Sequence, residues 1–172
     1  MKKVFSLIIA IICLFSVMGC GGSNDGQKQV STGDKVKDSI IKVCKDTLGH
    51  DFVSVDVVDN LSNEPGAKGT KNVSVIGKIR EGTSDEKTRV ANIIQARSLF
   101  KALYTSGQPI GRVIYFVEAD LVDNYGKKGK GNAFKFTLSK KIADKFDWNS
   151  VIEIESFPSL IDNTWMLPQF RK

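Results

Sequence analysis

Histidine is almost missing from this chain. Among 172 residues only His50 carries an imidazole. One histidine without soft partners makes no zinc site. His50 stands in Gly49-His50-Asp51, where a helix is expected to end, so a capping or surface place is expected for it. Catalytic signatures are missing as well. There is no Gly-x-Ser-x-Gly elbow, no His-Glu-x-x-His and no Ser/His/Asp set beyond that one histidine. The run Gly126-Lys127-Lys128-Gly129-Lys130-Gly131 lacks the Gly-x4-Gly-Lys-[Ser/Thr] spacing of a phosphate-binding loop. No catalytic residue, metal or cofactor is therefore expected. Acid–base work by two carboxylates leaves no spacing rule, and nothing in the chain favours it.

Cysteine is scarce, at three residues. Cys13 lies in an apolar leader and Cys20 ends it, which leaves Cys44 as the thiol of the domain and excludes an internal disulfide. Cys44 continues the series Val36, Ile40, Cys44, Leu48, so a small buried hydrophobe is expected rather than a nucleophile.

The N-terminus carries the most specific signal. Lys2 and Lys3 precede a run from Val4 to Phe15 that is apolar except for Ser6, and small residues follow. That is the order of a secretory signal. The run is too short for a permanent span of roughly 20 residues. Val17-Met18-Gly19-Cys20 resembles the lipobox of bacterial lipoproteins, with an aliphatic residue at −3, a small one at −1 and the cysteine that becomes the new N-terminus. Met18 departs from the small residues common at −2. The resemblance covers residues 1–20. It implies cleavage between Gly19 and Cys20 and a diacylglyceryl group on the Cys20 thiol. Two or more acyl chains hold lastingly to a bilayer, at about 0.8 kcal/mol per buried methylene. The other readings of Cys20 are an ordinary thiol behind a conventional cleavage site, or an uncleaved anchor. Gly21 rather than aspartate follows Cys20, which in Gram-negative families would not retain the protein in the inner membrane. A Gly-Gly-Ser start suits a Gram-positive cell equally.

Removing residues 1–19 would leave 153 residues (172 less 19), enough for one domain. The net charge would fall from +6 to +4 with Lys2 and Lys3. An exported, tethered protein rarely meets nucleic acid, so none is expected as a partner. Its expected partners are the membrane through the anchor, an anionic envelope polymer or another envelope protein.

The expected domains are a signal at 1–19, a lipidated cysteine and polar linker at 20–34, and an α+β domain at 35–172. A coil of the linker's length reaches about 20 Å. Asp34 should cap a helix over Lys35–Leu48. Alternation marks strands at Phe52–Val58 and around Val73–Ile79. Thr83 and Glu86 read as a capping box opening a helix to Tyr104, with Ile94 on its apolar face and Arg89 and Gln95 on its wet face. Arg97 should lay its stem over the core rim. Strands follow over Gly111–Leu121 and Phe134–Leu138, and Ser139 should cap a short helix. The order α-β-β-α-β-β-α predicts two β-hairpins in one four-stranded antiparallel sheet, with helices on one face. Trp148, Phe157, Trp165, Met166 and Phe170 give the C-terminal tail an apolar side, fit for docking on the domain or on a partner.

Two sets of residues invite a ligand. The loop 123–131 puts Tyr125 beside Lys127, Lys128 and Lys130, with glycines that let a backbone approach. It suits an anionic polymer or headgroup, and it equally suits an ordinary solvated turn. Asp56, Asp59, Glu118, Asp120 and Asp123 lie near expected strand ends. Calcium needs roughly six to eight oxygen ligands, and no EF-hand spacing is present. The reading is a membrane-tethered, non-enzymatic binding module at the cell membrane or outer membrane, facing away from the cytoplasm. The alternatives are a tethered hydrolase or inhibitor, or a phage-derived surface protein.

Overall fold

The computed structural model describes residues 32–122 and 125–171. Helix α1 (Lys35–Leu48) starts at Asp34, whose Oδ1 accepts from the Val36 and Lys37 N–H groups at 2.9 and 3.2 Å. Two of the donors left open at a helix start are thereby satisfied. Gly49, at φ +57°, closes the helix in a conformation that side chains resist. Ile40, Cys44 and Leu48 form its buried stripe. Burial pushes the Cys44 thiol up to about 12, so it stays protonated and unreactive.

Strands β1 (Phe52–Asp59) and β2 (Lys71–Lys78) pair as the expected antiparallel hairpin. Helix α2 (Asp85–Tyr104) follows, and then β3 (Ile110–Val122) and β4 (Lys128–Ser139) form the second hairpin. Two short helices, α3 (Lys140–Ala143) and α4 (Phe157–Leu160), lead to β5 (Asn163–Met166) and a 3-10 turn at Pro168–Phe170.

The α+β character stands, but the four-stranded antiparallel sheet does not. The sheet has five strands in the order β1-β2-β3-β4-β5. β2 and β3 run parallel, with Val73 beside Val113 and Val75 beside Tyr115. Helix α2 makes the long crossover that a parallel pair needs. The tail supplies the fifth strand, pairing Met166 with Phe134 and Thr164 with Phe136. It docks on its own domain: Phe157 is fully buried, and Ile161, Met166 and Phe170 are nearly so.

One sheet face carries Val73, Val75, Val113, Tyr115, Val117, Phe134, Phe136 and Leu138, all buried. Against it lie Ile40, Cys44 and Leu48 of α1 and Ile93, Ala96, Leu99, Phe100 and Leu103 of α2. Each Val, Leu, Ile or Phe among them contributes about 1.5–3 kcal/mol on leaving water. The alternating positions, among them Ser54, Ser74, Phe116 and Lys135, turn to the other face and stay at least partly solvated.

Helix α2 differs from its expected pattern at both its start and its faces. Ser84, not Thr83, is the N-cap, and its Oγ accepts from the Lys87 N–H at 3.3 Å. Ile94 is exposed, whereas Arg89, Asn92 and Gln95 are buried. Gln95 is satisfied from remote parts of the chain. Its Nε2 donates to Asp51 Oδ2 at 2.9 Å, and its Oε1 accepts from the Tyr115 hydroxyl at 2.7 Å. Arg80 Nε donates to the same Asp51 oxygen at 2.6 Å. The tyrosine hydroxyl needs a bare backbone beside it. A Cβ on Gly77 would stand 2.5 Å from that oxygen. Ser139 sits at the start of α3 without a side-chain capping bond; its Oγ donates to Asp162 instead, at 2.9 Å.

At the opening end of β2, Lys71 Nζ bridges Asp34 Oδ2 at 3.1 Å and Asp59 Oδ1 at 2.8 Å. The Lys37 N–H and then Lys71 hold the Asp34 carboxyl below its ordinary value of 3.8, and Lys71 does the same for Asp59. A depressed carboxyl stabilises the fold above its unfolded value and loses that contribution as pH falls through its folded value. The thermal midpoint should therefore decline as pH drops below about 4. Lys71→Met should blunt the part of that decline due to Asp59 more than the part due to Asp34, whose cap survives. Melting curves across pH 2–7 check this; an identical acid limb in the variant would refute it.

Candidate functional site

The loop singled out for its lysines is the tip of a projecting arm. β2 leaves the sheet where Lys78 meets Glu118. Beyond that point β3 and β4 continue as a two-stranded ribbon, with Asp120 opposite Lys130 and Val122 opposite Lys128. An extra residue in β4 between Asn132 and Phe134 opens the ribbon, since Val117 faces Phe134 while Glu118 faces Asn132. Such a bulge bends and twists the strand that carries it. Gly131 fits the ribbon tightly; a Cβ there would approach Leu121 Cδ1 to 2.8 Å.

At the tip Tyr125 is 97% exposed. Gly126 takes φ +78°, the conformation that makes glycine useful in a turn. Lys127 and Lys128 are exposed beside it. Lys130 points back along the ribbon, and its Nζ meets Glu118 Oε2 at 3.0 Å. That carboxylate raises the Lys130 pKa and holds its proton more firmly. Asp123 lies outside the described residues, as do Gly19 and Cys20 of the lipobox.

The acids do not converge. Asp59 is tied to Lys71 at one end of the sheet, and Glu118 and Asp120 lie at the other. Among the described residues no three His, Cys, Asp or Glu side chains lie close enough to hold a metal ion. His50 is exposed, with Nε2 at 3.2 Å from Asp51 Oδ1. An opening of about 360 Å³ at the base of the arm gathers Glu81, Asp85 and Asp120 beside the first turn of α2. Its walls combine these polar groups with Ile79, Ala119, Leu121, Ala133, Leu167 and Phe170.

Two arginines of α2 are placed by remote partners. Arg97 is half-buried, and its Nη2 reaches the Ser150 carbonyl at 3.4 Å. Arg89 was expected in water and is buried, its Nη2 donating to Glu155 Oε2 at 2.7 Å. Its sequence position held one clue: Arg89 precedes Val90 and falls one turn before Ile93 in the stretch that meets the sheet. Among the described residues no helix is long and apolar enough to cross a membrane. Comparison of the chain with models of protein families, with curated proteins and with solved structures gave no match.

Proposed function

We propose that the chain is a bacterial lipoprotein, anchored through Cys20, whose domain is a non-enzymatic binding module that presents the β3–β4 arm to an anionic polymer of the envelope. The supporting observation is the polarity of the domain. The linker would lead into α1 at Asp34, which Lys71 fixes at the opening end of β2. β3 runs parallel to β2 from that same end and reaches Val122 thirteen residues later. At about 3.3 Å per residue the arm tip stands about 40 Å from where the chain enters the domain. The tip lysines thus lie at the end of the domain far from Asp34, a placement that supports a ligand other than the lipid of the anchor.

Two measurements test the two halves of this reading. Expressed in a bacterial host, the wild type should lose residues 1–19, gain the mass of a lipid and partition into detergent, and Cys20→Ala should do none of these. Equal unlipidated masses would remove the anchor. For the arm, the full chain should be retained on immobilised linear polyphosphate at low salt. Retention should fall at least about tenfold when Lys127 and Lys128 are both changed to Glu, and fade between 0.05 and 0.5 M salt as screening shortens to a few ångströms (about 10 Å at 0.1 M). Unchanged retention in the double variant would exclude the arm.

A further inference from the structure

A second cleft lies where α2, α4, β5 and the C-terminal 3-10 turn meet. The cleft is about 480 Å³ in volume, and Arg89, Glu155, Trp165, Phe170 and Arg171 are among the residues that line it. That is within the range of small-molecule pockets, roughly 300–1,000 Å³. Arg171 is held there by its Nε, which donates to the Met166 carbonyl at 2.7 Å. Trp165, 39% exposed, supplies an apolar wall. Two guanidinium groups and one carboxylate thus line the cleft.

Arg89 is the informative residue. Its side chain is only 9% exposed. Glu155 Oε2 accepts from Nη2, while Nε is buried with no hydrogen-bond partner among the described residues. Nε and Nη2 form the edge of a guanidinium that takes a carboxylate or phosphate by two parallel hydrogen bonds. Here that edge is only half used. A buried donor without an acceptor is uncommon in folded proteins and asks for an explanation. Glu155 is more than half exposed, at 54%, and can return to water at little cost.

We propose that this cleft binds a small organic anion, a carboxylate or phosphate carried on a flat apolar body. The anionic group takes the Nε–Nη2 edge of Arg89 and displaces Glu155, Arg171 closes on the same group, and the body lies along Trp165. Glu155 is then a built-in competitor that covers Arg89 until a better-fitting anion arrives. This site is independent of the arm, so loss of polymer binding leaves it untouched.

The test is a titration of the full chain with phenyl phosphate, benzoate and inorganic phosphate. The readout is the indole N–H resonances of the two tryptophans, Trp148 and Trp165. Trp165 should shift saturably and Trp148 should not, with Trp165→Phe assigning the signal. Glu155→Gln should bind at least about fivefold tighter, because the competitor loses its charge. Arg89→Gln should abolish binding, and Arg89→Lys should weaken it about tenfold or more, since an ammonium keeps the charge but loses the fork. A purely structural Arg89–Glu155 pair gives the opposite for Glu155→Gln: a lower melting point and no gain in affinity. That result would overturn the proposal, as would an absence of saturable shift in both wild type and Glu155→Gln. Equal affinity for inorganic and phenyl phosphate would overturn the role given to Trp165.

Discussion

Phe134→Ala is expected to destabilise the domain by about 3–5 kcal/mol, the cost of truncating a fully buried aromatic ring without collapse of the space. Phe134 is fully buried on β4. Its ring lies 4.7 Å from the Phe170 ring at an interplanar angle of 26°, and 6.0 Å from Phe136. Its backbone neighbours across the sheet are Val117 on one side and Met166 on the other. The ring therefore joins the central sheet to the C-terminal tail. Its loss should act on the tail first, and amide exchange at Met166 and Leu167 should quicken by more than exchange in β2. Phe170→Ala should cost less, about 2–4 kcal/mol, because one face of that residue borders the surface clefts. The two changes together should cost less than their sum, by about 0.5–1.5 kcal/mol, the coupling of a stacked pair. Urea unfolding of the three variants measures all of this. If Phe170→Ala costs under about 0.5 kcal/mol, the tail is not part of the core.

The sheet and helices differ in how far local sequence could reveal them. Helix α1 was legible because Asp34, the stripe 36-40-44-48 and Gly49 all act within a few residues of one another, and the structure uses each as read. The strands were legible from alternation for the same reason. What failed depended on distant partners. Gln95 and Arg89 are polar, so periodicity assigned them to water. They are buried because Asp51, 44 residues away from Gln95, and Glu155, 66 residues away from Arg89, complete their hydrogen bonds. No window along α2 contains that information. The parallel pairing of β2 with β3 was available in principle, since two strands joined by a 20-residue helix are more easily parallel than antiparallel. β5 was hidden because Asn163-Thr164-Trp165-Met166 is too short to alternate persuasively and gains its strand character from pairing with β4.

The candidate sites divide in the same way. Tyr125, Lys127, Lys128 and Lys130 are neighbours in sequence, so the loop could be named before its shape was known. Its projection could not, because the arm exists only where β2 stops and β3 and β4 continue. The cleft around Arg89 joins α2, the segment before α4, α4 itself, β5 and the stretch Phe170–Arg171. Only folding brings those five pieces together.

Asn92→Ala is expected to cost about 2–4 kcal/mol, the second large loss, although it removes little volume. Asn92 is completely buried on α2. Its Oδ1 accepts from the Arg80 N–H at 3.0 Å, and its Nδ2 donates to the Arg80 carbonyl at 2.9 Å and to the Thr88 carbonyl at 2.7 Å. The side chain thus pairs with the backbone of Arg80 as a neighbouring strand would. Thr88 extends the seam, with Oγ1 accepting from the Gly82 N–H at 2.8 Å. A Cβ on Gly82 would meet the Thr88 nitrogen at 2.7 Å, so the turn lies directly on the helix. Alanine leaves the part-buried Arg80 N–H and C=O without those partners. Asn92→Asp separates hydrogen bonding from volume. Its carboxylate would face two carbonyl oxygens, so at neutral pH it should be less stable than the alanine variant. Burial would raise that carboxyl's folded pKa above its unfolded value, so the native state would bind the extra proton. The added destabilisation should therefore grow as pH rises through the interval between the two values, and shrink again in acid, where the protonated group can donate. Denaturant unfolding at pH 5 and pH 8 checks the sign. An Asn92→Asp variant as stable as wild type at pH 8 would show that the Arg80 backbone does not depend on this amide.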